Sequence, residues 1–99
     1  MAVKFNVKNV DENVVVVEFE LESGVITPEE LPEVIAELPK VEAGVGVVLS
    51  GRGPVWLFGA MVHEYHPTPF VACYDPRLGG GVVVESHTKE VKLGDVIPV

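Results

Sequence analysis

The sequence predicts an α/β sandwich with a mixed, loosely Rossmann-like sheet, in the order β-β-α-β-α-β-β with a last short strand. Three observations predict it. Two runs rich in β-branched residues open the chain around turn residues, a helix-start signature follows, and a strand–glycine turn–apolar helix–strand unit fills the middle. Ninety-nine residues make one domain, 1–99. A chain of that size buries somewhat over ~60% of its unfolded surface.

Lys4 to Val10 alternates in strand fashion, Asp11-Glu12-Asn13 is turn chemistry, and Val14 to Leu21 is dense in valine. Glu18, Glu20 and Glu22 recur every second residue on the outward side, so the two runs read as an antiparallel hairpin. Thr27-Pro28-Glu29-Glu30 supplies an N-cap, a proline at the first helical position and a capping-box glutamate. The helix runs on to about Leu38, with Val34, Ile35 and Leu38 inward and the acidic residues Glu29 to Glu37 on a solvated face. Pro32 lies deep for a helix interior and argues for a later start.

Val45 to Leu49 reads as a buried strand, and Ser50-Gly51-Arg52-Gly53-Pro54 as a tight turn whose proline opens the next helix. Val55 to Tyr65 is apolar on nearly every side, as a helix held between the sheet and a second subunit would be. Phe70 to Tyr74 is another strand, Asp75 to Gly81 turns the chain, Val82 to Glu85 returns, and Val96 to Val99 closes the sheet. Trp56, Phe58 and Met61 read as core or interface, and Cys73 as a small core residue. Phe70 and Tyr74 stay open between core packing and a stacking surface for a base.

Seven basic residues against 15 acidic ones leave a net charge of −8. That argues against binding long nucleic acid, DNA included, through a polybasic surface, because such affinity grows with the phosphates neutralised. A small anion in a local pocket stays open. The single cysteine excludes an internal disulfide framework and a multi-cysteine zinc site. The start has no signal-peptide layout, and the longest apolar run, Pro54 to Val62, is too short for a bilayer. The expectation is a cytoplasmic protein without a membrane partner. A hydrophobic share of 47% is high for this length and points to a homodimer.

In a strand–helix–strand unit both strands point the same way, so their carboxyl ends share an edge, the usual ligand crevice of open α/β sheets. The loops there carry Ser50, Gly51, Arg52 and Gly53 after one strand, and Asp75 and Arg77 after the next. Glycines allow close backbone approach and a guanidinium fork matches phosphate oxygens, which makes a phosphate site. The competing reading is a plain tight turn with a solvated arginine. His63 and His66 lie three residues apart at the end of the apolar helix, and His87 follows the return strand to the same amino edge. Three imidazoles so gathered suit a divalent metal or acid–base work on a phosphodiester, or else compensate a helix dipole. Asp75 lies a strand length from His66, roughly 20 Å at ~3.3 Å per residue. Two subunits stacked head to tail would bring the opposite edges together.

Ser50-Gly51-Arg52-Gly53-Pro54-Val55-Trp56-Leu57, His63-Glu64-Tyr65-His66-Pro67-Thr68-Pro69-Phe70-Val71-Ala72, Tyr74-Asp75-Pro76-Arg77-Leu78-Gly79 and Val82-Val83-Val84-Glu85-Ser86-His87 follow one another through the second half of the chain. This series resembles the small stand-alone ring nucleases of type III CRISPR antiviral systems. The resemblance implies a fold related to cyclic-oligoadenylate sensor domains. It also implies manganese (Mn2+)-dependent cleavage of cyclic tetra-adenylate to linear di-adenylate, by homodimers that stack head to tail into tetramers or filaments around the ligand. A trimming activity on short RNA 3′ ends is also implied. By the resemblance, Ser50 and Arg52 hold phosphates, with Gly51 and Gly53 in the same loop. His66 and Asp75 are catalytic with Arg77 assisting, and His63, His66 and His87 are candidate metal ligands. The three glycines after Leu78 are a departure, reading as a longer turn than the family pattern carries. A module that binds the same ligand without cutting it is the alternative.

Overall fold

Alternation and β-branching at the start of the chain produce two long strands. The computed structural model describes residues 3–99. Strands β1 (Val3–Asp11) and β2 (Val14–Leu21) form the expected antiparallel hairpin, with β1 one residue longer at each end than its alternation suggests. The Asn13 backbone N–H donates to Asp11 Oδ1 at 2.7 Å and fastens the turn. The chain then crosses one face of the sheet. The Thr27 N–H donates to Glu30 Oε1 at 2.8 Å, as the capping-box spacing requires. Prolines divide the expected helix: Pro28–Glu30 makes a 3-10 turn and α1 covers Leu31–Ala36. Pro32 falls in the first turn of α1, where its missing N–H has no intrahelical partner to lose.

Strand β3 (Gly46–Ser50), helix α2 (Val55–Glu64), β4 (Phe70–Asp75), β5 (Gly80–Ser86) and β6 (Val96–Pro98) follow. The six strands lie side by side in sequence order. Strands β2, β3 and β4 are parallel, with Val15 beside Val47 and Val47 beside Val71. The outer pairs are antiparallel. Both crossovers lay their helices on the same face. There Val15, Val17, Val47, Leu49 and Val71 meet Val34 of α1 and Leu57 and Met61 of α2 in one core. The opposite face carries a second cluster of Val14, Val16, Val48, Phe70, Ala72 and Val83, against which Tyr74, Val91 and Ile97 pack. The result is a two-layer α/β sandwich with a mixed sheet. Its strand order never reverses, so the shared carboxyl edge of β2, β3 and β4 takes the place of a switch point.

Glycines mark close approaches. A Cβ on Gly46 would stand inside the Phe70 ring. The three-glycine tract is not a longer turn. Gly79, at φ +67, ends a turn closed by the Leu78 and Gly79 N–H groups on the Asp75 carbonyl. Gly80 and Gly81 already belong to β5. A Cβ on Gly80 would lie 2.6 Å from the Ile97 carbonyl oxygen, and one on Gly81 2.8 Å from Val48 Cγ1.

Helix α2 buries Leu57 and Met61, while Phe58 sets its ring edge-to-face on Phe19 at 5.3 Å between centroids. Its outer side stays open in the single chain: Val55 is 86% exposed, and Trp56 lies beside it at the surface. No helix of the described residues is long and apolar enough to cross a membrane. The end of α2 is tied across to the segment after α1, because the Tyr65 hydroxyl donates to the Pro39 carbonyl at 2.6 Å. Burial pushes the Tyr65 hydroxyl up to about 12.

Two outcomes follow from this packing. Gly46→Ala forces a buried ring to move and is expected to cost about 1–3 kcal/mol, read as a lower urea midpoint at unchanged slope. Tyr65→Phe leaves the Pro39 carbonyl unpaired and is expected to cost about 1 kcal/mol at neutral pH. The folded state holds the Tyr65 proton more tightly than the unfolded chain. Its contribution is therefore complete below pH ~10 and is lost as pH rises towards 12. Stability measured across that window should fall more steeply in the wild type than in Tyr65→Phe.

Candidate functional site

The parallel trio β2, β3 and β4 sends its carboxyl ends to one edge of the molecule. Ser50 is the last residue of β3, and Arg52 follows it, exposed and without a hydrogen bond or ion pair among the described residues. Gly51 has no side chain because β2 is too close. A Cβ there would meet the Phe19 carbonyl oxygen at 2.5 Å and its ring at 2.7 Å. Gly53 is tight against Leu57 and Phe19, each at 3.1 Å. The loop is thus pressed onto the sheet and presents Arg52 outward.

Asp75 ends β4 at the same edge, and Arg77 turns back onto it. The Arg77 backbone N–H donates to Oδ1 at 2.9 Å, Nε to Oδ1 at 3.3 Å, and a terminal guanidinium nitrogen to Oδ2 at 3.2 Å. The Arg77 side-chain hydrogen bonds, followed by its backbone N–H, hold the Asp75 carboxyl below the usual carboxylate range. Asp75 is therefore an anchored carboxylate, and as placed it is a weak proton acceptor.

The histidines collect at the other end of the strands. The His63 and His66 rings stack at 5.6 Å with 19° between their planes. His87 approaches His66 edge-on at 6.2 Å. The His87 backbone N–H donates to the Pro69 carbonyl at 2.8 Å, which fixes the end of β5 beside the start of β4. His66 Nδ1 lies 2.8 Å from the His63 carbonyl oxygen. A carbonyl can only accept, so Nδ1 carries the hydrogen and Nε2 the lone pair. His87 Nε2 lies 3.0 Å from Glu85 Oε2 and donates to it. Among the described residues no three His, Cys, Asp or Glu groups are placed to hold one metal ion. His66 and Asp75 stand at opposite ends of β4, whose first and last residues, Phe70 and Asp75, lie roughly 17 Å apart at ~3.3 Å per step.

The sequence assigns no site role to two groups near these residues. Glu85 orients His87. Glu18 pairs in register with Ser50 and takes a hydrogen bond from Asn6 at 3.2 Å and an ion pair from Lys8 at 3.2 Å. The Asn6 and Lys8 hydrogen bonds hold the Glu18 carboxyl below its ordinary value. Phe70 is core, over Gly46, whereas Tyr74 is half-buried and lines a cleft of about 360 Å³ with Ser50 and Glu18. Cys73 is half-buried too, and burial pushes its thiol up, away from nucleophilic use.

A family model described as CRISPR-associated protein (Cas_csx3) matches residues 18–98, from within β2 to the end of β6. The chain belongs to the CRISPR-associated Cas_csx3 family. A protein of Aquifex aeolicus (strain VF5), described as uncharacterized, is 43% identical over 97 residues, covering 96% of this chain and 86% of its own length. The Cas_csx3 match takes in both edges: the Ser50–Gly53 and Asp75–Arg77 loops at one, the three histidines at the other.

The hydrogen bonds assign tautomers to two imidazoles of this Cas_csx3 chain. Nitrogen-15 correlation spectra of the neutral rings should show His66 protonated on Nδ1 and His87 on Nε2. The opposite tautomer at either ring would mean that the corresponding contact does not form in solution.

Proposed function

We propose that this chain is a ring nuclease that binds cyclic tetra-adenylate and cuts it to linear di-adenylate, lowering the signal of a type III CRISPR response. The observation that carries the reading is the division of the chemistry between two edges. Arginine and serine lie at the carboxyl ends of β3 and β4, and the imidazoles lie at their amino ends. Membership of a CRISPR-associated family supports it. A ligand held on the arginine edge of one dimer meets the histidine edge of the next when dimers stack head to tail. The open side of α2, with Val55 and Trp56, is the apolar surface available to the homodimer.

In this reading Arg52 and the Ser50 hydroxyl bind phosphate oxygens. Arg77 exchanges its carboxylate partner for the scissile phosphate and offsets the charge that develops there. His66, with its Nε2 lone pair outward, takes the proton from the attacking oxygen, which is a water or a ribose 2′-hydroxyl. The phosphorus–oxygen bond to the neighbouring nucleotide then breaks, its oxygen taking that proton back from His66, and two such cuts turn one ring into two linear di-adenylates. Asp75 fixes Arg77 before the ligand arrives. Manganese is the ion proposed to take part. The histidines as placed do not supply three ligands for it, and no step of this route passes through the ion.

A second reading, a sensor or sponge that binds without cutting, is favoured by the anchored Asp75 and its distance from His66. Trimming of RNA 3′ ends is disfavoured by the charge of −8, which repels long substrates.

Incubation of the pure chain with cyclic tetra-adenylate, with and without manganese, separates these readings. Manganese-dependent linear di-adenylate is the expected product, and its mass shows whether water or the 2′-hydroxyl attacked. His66→Ala should lower turnover at least ~100-fold while retaining binding, and Arg52→Ala should weaken binding itself. An intact ring that binds would leave the sponge; a ring that does not bind would sink both.

A further inference from the structure

Glu18 of β2 and Tyr74 of β4, on either side of Ser50 along one face of the sheet, line a cleft to which the sequence assigns no role. Its volume of about 360 Å³ falls in the usual range for small-ligand pockets. Val10, Val16 and Val99 give it aliphatic walls, Tyr74 an aromatic one, and Ser50 opens it towards the arginine edge. A phosphate held at the Ser50 hydroxyl would bring its nucleoside to this cleft, whereas Arg52 lines a separate depression beside Val25 and Trp56.

We propose that the cleft between Glu18 and Tyr74 is a nucleobase subsite selective for a base carrying an exocyclic amino group. The inference rests on the ring-binding reading and deepens it by naming what selects the base. Both Glu18 oxygens are already fixed, Oε1 by the Asn6 side-chain amide at 3.2 Å and Oε2 by the Lys8 ammonium at 3.2 Å. The carboxylate is thus held in one place, and each oxygen keeps a lone pair for the ligand. An ionised carboxylate only accepts hydrogen bonds. It attracts an N–H₂ edge and repels a carbonyl edge at the same position. Tyr74 and the valines provide the flat apolar contact that any base face accepts, so they supply affinity without choice. The choice lies with Glu18.

Isothermal titration of the full chain with cyclic tetra-adenylate and with cyclic tetra-inosinate tests this directly, since the second ring carries a carbonyl where the first carries the amino group. The adenylate ring should bind at least about tenfold more tightly, the size of a hydrogen bond to a charged group. Glu18→Gln, whose amide can turn a donor towards the carbonyl, should narrow that gap to below about threefold. Tyr74→Leu should weaken both rings by about fivefold or more and leave their ratio intact. Equal affinity of both rings for the wild type, or an unchanged gap in Glu18→Gln, overturns the subsite while ring binding stands. If neither ring binds, the ring-nuclease reading falls, and nitrogen-15 spectra with adenosine and inosine monophosphates decide the subsite alone. Shifts at Val16, Glu18 and Tyr74 with the adenosine nucleotide and not the inosine one uphold it; no such difference removes it.

Discussion

Parallel pairing of β2, β3 and β4 is the constraint on which the rest of the molecule depends. Three adjacent strands running one way must be joined by crossovers, and each crossover here returns over the same face. Val17, Val47, Leu49 and Val71, each fully buried, hold that trio against the helices. Because the strands start and end together, every loop after a strand lies at one edge and every loop before one lies at the other. The span between Arg77 and the imidazoles is then set by the length of β4 and cannot be shortened by rotating side chains. One chain presents the arginine loops and the imidazoles at edges that face away from each other.

Much of this was legible because it rests on local chemistry. The Asp11–Asn13 turn, the Thr27 cap and the Ser50–Pro54 turn each declare themselves within a few residues. Strand alternation then locates β1 and β2 to within a residue. The gathering of His63, His66 and His87 was legible as well, because it needs only the direction of α2 and of β5.

What sequence reading missed depends on neighbours distant in the chain. Gly80 and Gly81 look like turn residues, and only the proximity of Ile97 and Val48 shows why strand residues there lack side chains. Pro32 signalled a late helix start, but the 3-10 turn before it comes from two prolines acting in succession. Glu18 reads as one of three outward carboxylates until the β2–β3 register places it beside Ser50. The functional weight of Tyr74 against Phe70 likewise turns on which of them Gly46 admits into the core.

The Arg77–Asp75 fork also bears on which anions the arginine edge retains. A solitary phosphate that meets Arg77 must displace a carboxylate two residues away, tethered there at high effective concentration. Arg52 faces no such rival. Inorganic phosphate and single nucleotides, abundant in any cell, would gain one arginine and stall at the other. On the ring-binding reading proposed above, a ligand with several phosphates in fixed relation would engage Arg52 first and then contend for Arg77 as a tethered competitor itself. On that reading, the internal ion pair would act as a threshold that rewards multivalency, ahead of any choice among bases.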